Sequence, residues 1–253
     1  MDRDMKRPSS SAAERHAQEV LHGRRIYERA ESLWGWETAS GRLRAERRAR
    51  FLIEHGAITA ASYCLEVGCG TGVFTEKLAR TGARIHAIDI SPDLLEKARR
   101  RPGCERVSFT VGNVETGEHI TGQYDAVVGV SVLHHLDCTL ALPRLISVLK
   151  PGGRFVFTEP NWRNPQIWLE RNVSWLKPLL AVSPHELAFV REELAALLEQ
   201  HGLAGVSVTP FDWLHPWTPA PLIPAITILG SLLERTPVIR EISGSLLVVA
   251  RRP

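Results

Sequence analysis

The chain has 253 residues, 44% of them hydrophobic, and its 31 Lys/Arg against 28 Asp/Glu leave a net charge of +3. These are the values of an ordinary globular chain, and they exclude a disordered chain and a membrane channel. Residues 1–50 hold 12 Lys/Arg against 8 Asp/Glu, so the remainder is nearly neutral and lacks the basic face of a dedicated nucleic-acid binder.

Ser9, Ser10 and Ser11 are candidate caps for a first helix. Its apolar positions Val20, Ile26, Tyr27, Ala30 and Leu33 recur at helical spacing until Trp34-Gly35-Trp36 breaks it. A second helix is predicted over 42–55 and ends at Gly56. From there short apolar runs alternate with helices. Strands are predicted over 63–67, 84–90, 107–111, 124–130, 154–158, 203–209 and 245–250. Helices fall over 71–80, after the capping sequence Ser91-Pro92-Asp93, and over 137–149, the last stopped by Pro151-Gly152-Gly153. Strands that are apolar along their whole length and alternate with helices indicate an α/β fold. The expected architecture is a doubly wound, mostly parallel seven-stranded sheet with a helical N-terminal and insertion cap. Such sheets bind ligands beyond the carboxyl ends of their strands. The expected division is a helical segment over 1–56 and a sheet domain over 57–253, with 160–202 inserted before the sixth strand.

Cys64, Cys69, Cys104 and Cys138 show no C-x-x-C spacing and read as reduced thiols, not as disulfides or a metal site. The first 13 residues are polar and carry no secretory apolar region. The longest apolar stretch, 221–233, contains Pro224 and is too short to span a bilayer. A cytoplasmic protein with no metal and no stable membrane insertion is expected. The segment 221–234 reads as packing on the sheet, with contact to a membrane or lipid as the alternative.

Between the first strand and the next helix stands Leu65-Glu66-Val67-Gly68-Cys69-Gly70-Thr71-Gly72. Glycines there let the main chain turn tightly and approach a ligand closely. The third glycine of a dinucleotide G-x-G-x-x-G is missing, and the preceding Glu66 repels a pyrophosphate but welcomes a cationic ligand. Asp89 ends the second strand, where a carboxylate accepts both hydroxyls of a ribose. Together with the IDIS turn, GNVE, YDAVVGVSVLHHL and LKPGGRFVFTEPN, in that order, this run resembles the class I S-adenosylmethionine-dependent methyltransferases, most of all their small-molecule (type 11-like) branch. The resemblance covers residues 60–161 well and the last two strands loosely.

The resemblance implies S-adenosyl-L-methionine as cofactor and S-adenosyl-L-homocysteine as product. It also implies a set of contacts. Gly68, Cys69, Gly70 and Gly72 pack under the methionine and ribose, Glu66 orients the loop or the bound amino group, and Asp89 takes the ribose with Ile90 against the adenine. Asn113-Val114 stands where the family usually has an Asp for the adenine amino group, and the Asn amide accepts that bond without a charge. Val130-Ser131 closes the floor below the sulfonium. His134 and His135 follow the fourth strand and are candidate bases or pocket wall; Glu159, ending the fifth strand, is a candidate base or a turn cap. His185 and His215 rank below them. All seven tryptophans lie outside the cofactor core, and Trp36, Trp162 and Trp168 are the candidate substrate residues of an aromatic lid, with sealing of the cap against the sheet as the alternative. Arg44, Arg47 and Arg48 share a helix face that reads as solvated, with one of them reaching the cofactor carboxylate as the alternative. The expected activity is methyl transfer to a small, partly apolar metabolite, most readily at oxygen, in bacterial secondary metabolism. N- or C-methylation, action on a lipid, and non-catalytic cofactor binding stay open, and nucleic acid is not expected as a partner.

Overall fold

The computed structural model describes residues 12–172 and 188–253. The predicted caps Ser9, Ser10 and Ser11, and Trp175, His185 and Glu186 of the insertion, lie outside the described residues. Seven strands form one sheet in the order β3-β2-β1-β4-β5-β7-β6. β1 (Tyr63–Val67) and β4 (Tyr124–Val130) sit at its centre and are buried along nearly their whole length. That is why their sequences run apolar without alternation. β2 (Arg84–Asp89) and β3 (Ser108–Val111) extend the sheet on one side, all in parallel. On the other side β5 (Leu149–Pro160) is parallel to β4, while β7 (Ser245–Arg251) runs antiparallel to both β5 and β6 (Ala204–Phe211). β5 starts earlier than expected: it takes in the Pro151-Gly152-Gly153 turn, where its register with β4 shifts between Tyr124 and Ala126.

Helices cover both faces. On one, α6 (Cys138–Ser147) and α8 (Arg191–Gln200) bury Leu142, Leu145, Leu194 and Leu198 against Phe155 and Val248. On the other, α3 (Ala39–His55), α4 (Val73–Ala79) and α5 (Pro92–Arg99) bury Leu52, Leu78 and Leu95 against Val128 and Val156. Local caps fix where these helices start. Thr38 Oγ1 accepts the Gly41 N–H at 2.9 Å, Ser91 Oγ accepts the Leu94 N–H at 3.3 Å, and Asp137 accepts the Thr139 N–H at 3.1 Å.

α1 (Ala12–Ile26) and α2 (Ala30–Leu33) lie over the carboxyl edge, with Ile26, Ala30 and Leu94 forming a small core of their own. α7 (Pro165–Asn172) follows β5, and a bridge between Asn161 and Phe189 closes the chain back onto the sheet. Two helices near the C-terminus, α9 (Ile223–Leu233) and α10 (Pro237–Arg240), pack less than the sequence implied. Only Ile223 and Gly230 of α9 are buried; Ile228 is 65% exposed and Val238 of α10 is 82% exposed. The contact is local: Gly230 packs against the Trp213 side chain, where an added Cβ would meet Trp213 Cβ at 3.0 Å, so α9 docks through this one face. No helix among the described residues is long and apolar enough to cross a membrane.

Candidate active site

The strand order reverses between β1 and β4, and a cavity of about 640 Å³ opens beyond the carboxyl ends of β1, β2 and β4. This is where an open parallel sheet leaves a crevice, and the volume suits a cofactor together with a small molecule. Gly68, Cys69, Gly70, Asp89 and Ile90 line one end. Asn113, Val114, Val130 and Ser131 continue the same wall. Glu66 and Gly72 lie just behind this surface and shape the turn. At Gly68 (φ +65°) a Cβ would meet Val132 Cγ2 at 2.4 Å, and at Gly70 (φ +52°) it would meet the Trp34 ring at 3.3 Å, so any side chain here is both strained and obstructed.

Asp89 is pinned by the main chain. Its Oδ2 accepts the Gly70 N–H at 2.7 Å and its Oδ1 accepts the Ser91 N–H at 2.9 Å. Burial raises its pKa, and the N–H bonds from Ser91 and Gly70 oppose that. Each oxygen keeps a lone pair for a further donor. Glu66 is 2% exposed; burial pushes its pKa up to about 7, and the Asp89 charge adds in the same direction. Among the described residues its Oε2, and the Thr71 hydroxyl on the cavity wall, are buried without a hydrogen-bond partner. An unsatisfied buried carboxylate oxygen under a glycine turn matches an ammonium-bearing ligand, and the Asp89 carboxylate matches a diol. The acceptor set present therefore fits an amino-acid nucleoside. Asn113 differs from expectation: its Oδ1 accepts the Glu115 N–H at 2.8 Å and its amide faces His16 Nδ1 at 3.1 Å, so its side chain ties α1 to the turn after β3.

The histidines face the cavity, but Glu159 does not. Glu159 is 1% exposed, and its Oε1 accepts the N–H groups of Val132 and Leu133 at 3.0 and 2.9 Å. Its Oε2 lies 2.7 Å from His134 Nδ1. Burial raises the Glu159 pKa to about 7, against the pull of the Leu133 and Val132 N–H groups, so one proton is shared between Glu159 Oε2 and His134 Nδ1 near neutral pH. Glu159 thus braces His134 and the turn after β4 from behind the cavity wall. His135 packs on His134 with ring centres 4.2 Å apart, and its Nδ1 is 3.6 Å from Glu19 of α1. Ser131, which joins β4 to this turn, has φ +52°, a conformation that a non-glycine residue holds only under constraint.

The aromatic end is built from other tryptophans than expected. Trp36 lines the cavity, but Trp162 and Trp168 do not, and Trp168 is 47% exposed. Asn164, Ile167 and Glu170 of the same segment do face the cavity, so the α7 stripe lies one helical step away from Trp168. Trp34, Trp213 and Trp217 take the places assigned to Trp162 and Trp168. The arginine face of α3 is not solvated either. Arg48 is 2% exposed and reaches Asp212 at 2.7 Å, Arg44 reaches the same oxygen at 2.9 Å, and Arg47 holds Glu234 through two bonds.

An open α/β sheet with this strand order, a glycine turn, and carboxylates at the ends of β1 and β2 defines a nucleoside-cofactor transferase fold. Residues 64–153 match the family described as "Methyltransferase domain". The chain is 34% identical over 166 residues to a ubiquinone biosynthesis O-methyltransferase of Xanthomonas axonopodis pv. citri, covering 62% of this chain and 69% of that one. It is 31% identical over 140 residues to nodulation protein S of Rhizobium tropici, covering 53% and 58%. Among solved structures, the N-methyltransferase NodS of Bradyrhizobium japonicum in complex with S-adenosyl-L-homocysteine shares the fold at TM-score 0.63 and 21% identity, over 93% and 99% of the two chains. The [4+2]-cyclase SpnF also shares it at TM-score 0.63 and 18% identity, over 94% and 96%. The chain belongs to the class I S-adenosylmethionine-dependent methyltransferases. It is a methyltransferase that uses S-adenosyl-L-methionine.

Proposed function

We propose that the enzyme methylates a small, partly apolar metabolite, with oxygen as the preferred acceptor atom. The observation that supports this most is one continuous cavity that runs from the glycine turn to Trp36, Trp213 and Trp217. Aromatic walls favour an apolar ring or chain, and the polar groups between them orient it. Several relatives are O-methyltransferases by name, which supports the same atom.

When bound, S-adenosyl-L-methionine supplies a methyl group already activated on a sulfonium. Asp89 holds the ribose hydroxyls, Glu66 balances the ammonium, and Gly68, Cys69 and Gly70 give the close approach that the ligand needs. Ile90, Val114, Val130 and Ser131 complete the wall. The remaining task of the protein is to align the acceptor, exclude water and take a proton. In this reading His134, held by Glu159 at its Nδ1, takes that proton. His135 and Glu19 bring α1 down over the site and shield it.

A neutral panel of phenols, alcohols and amines, offered with trideuteromethyl cofactor and read by mass spectrometry, tests the reading. Labelled ethers from phenols support it; labelled amines alone would move the acceptor atom to nitrogen. Cofactor binding without label transfer to any member of the panel would contradict the reading.

A further inference from the structure

The far end of the cavity carries an unbalanced charge. Arg44 Nε donates to Asp212 Oδ2 at 2.9 Å, and Arg48 Nη2 lies 2.7 Å from the same oxygen. One carboxylate thus serves two guanidiniums. Arg47 adds nothing to the balance, because Glu234 neutralises it through both oxygens. Arg48 is further tied to Ser245 Oγ at 2.7 Å and is fully enclosed. Both arginines line the cavity, but Arg44 uses only Nε on Asp212, and its terminal nitrogens meet no acceptor among the described residues.

The surplus is local to the Arg44–Arg48–Asp212 cluster: the other carboxylate on this wall, Glu170 of α7, keeps its charge but pairs with neither arginine, and accepts from Gln166 Nε2 at 2.7 Å. Burial, and then the Arg44 charge, hold His215 toward its neutral form. Trp36 lies 5.5 Å from the Arg44 guanidinium and 5.7 Å from that of Arg48, which offsets part of their desolvation. A buried surplus of positive charge is costly unless a partner arrives. The backbone is strained at the same point: Asp212 has φ +77°, and its carboxylate is thereby set between the two arginines. Strain of this kind gathers at ligand clamps.

We propose that this wall binds an anionic group on the methyl acceptor, a carboxylate or a phosphate ester, with Arg44 as the residue that contacts it. The proposal rests on the reading of the cavity as the acceptor site. It gives the acceptor a shape: an apolar body between Trp36, Trp213 and Trp217, and a negative end group at Arg44. A planar guanidinium suits both anions through two parallel N–H bonds.

The test uses the full chain saturated with S-adenosyl-L-homocysteine, titrated calorimetrically with benzoate, phenyl phosphate and benzamide. At least tenfold tighter binding of either anion than of the amide is expected, and raised salt should weaken the anion alone. Benzoate ahead of phenyl phosphate assigns a carboxylate, and the reverse assigns a phosphate ester. Arg44→Gln should erase the preference, and Arg44→Lys should restore part of it; circular dichroism checks that both variants fold. Equal binding of the amide and the anions, no binding of any probe, or a preference that survives Arg44→Gln overturns the proposal. A chain that does not bind S-adenosyl-L-homocysteine at all would instead overturn the functional reading beneath it. Should Arg44→Gln not fold, the salt dependence of the wild-type chain still decides: equal salt response for anion and amide contradicts the proposal.

Discussion

Three buried carboxylates surround the site, and their surroundings give each a different task. Asp89 has two main-chain donors and lines the cavity, so it is built to stay charged and to accept more bonds. Glu66 has an unpartnered oxygen and a pKa near 7. A cationic ammonium beside it should favour the charged form, so cofactor binding near pH 7 should release part of a proton. Titration calorimetry in buffers of different ionisation enthalpy checks this, and Glu66→Gln should abolish the buffer dependence. Glu159 holds His134 at Nδ1 and lies behind the cavity wall. His134→Ala should lower kcat by about 10²-fold or more, the usual contribution of a general base. Glu159→Gln should lower kcat less, with little change in KM, and should shift the acidic limb of the pH–kcat profile. A fall in thermal stability with an unchanged profile would reduce Glu159 to a turn brace.

At the scale of elements, the central strands were legible because burial on both faces forces unbroken apolar runs, and all seven strands lie within a few residues of their predicted places. The glycine-turn end of the cavity was legible because its glycines and carboxylates lie at strand ends, where sequence order fixes their place. The far end was not. Asp212 and Arg44 are separated by 168 positions in the chain, and no local pattern announces that they meet. Trp168 and Ile167 are neighbours in sequence, yet one helical step of 100° turns one to solvent and the other to the cavity. A short helix with weak periodicity does not reveal that phase. Two expectations follow from the observed packing. Trp213→Ala should raise KM for an apolar acceptor, while Trp168→Ala should leave acceptor preference unchanged in competition assays. Leu52→Ala in α3 should cost about 2–5 kcal/mol by chemical denaturation, whereas Leu229→Ser in α9 should stay within about 0.5 kcal/mol.

For the molecule as a whole, these ionisations make stability depend on pH in opposite senses. Burial opposes the charge on Asp212, but Arg48 and Arg44 outweigh it and hold its pKa at about 2. Because the folded value lies below the ordinary 3.8, the pair stabilises the fold above pH 4, and that stability is lost as pH falls toward 2. Glu66 and Glu159 are raised from 4.5 to about 7, so the folded chain holds their protons more tightly than the unfolded chain. Their contribution is therefore fullest below pH 4.5 and declines as pH rises to 7. Thermal melts of the ligand-free chain across this range should show that decline, and Glu66→Gln should flatten it. The central claim is that the crevice at the end of β1 and β2 holds the nucleoside through Asp89. Calorimetric titration with S-adenosyl-L-homocysteine tests it most directly. Saturable one-site binding is predicted, weakened about 10- to 100-fold in Asp89→Ala, in keeping with the loss of charge-assisted hydrogen bonds. Absence of binding, or equal affinity in Asp89→Ala, would contradict it.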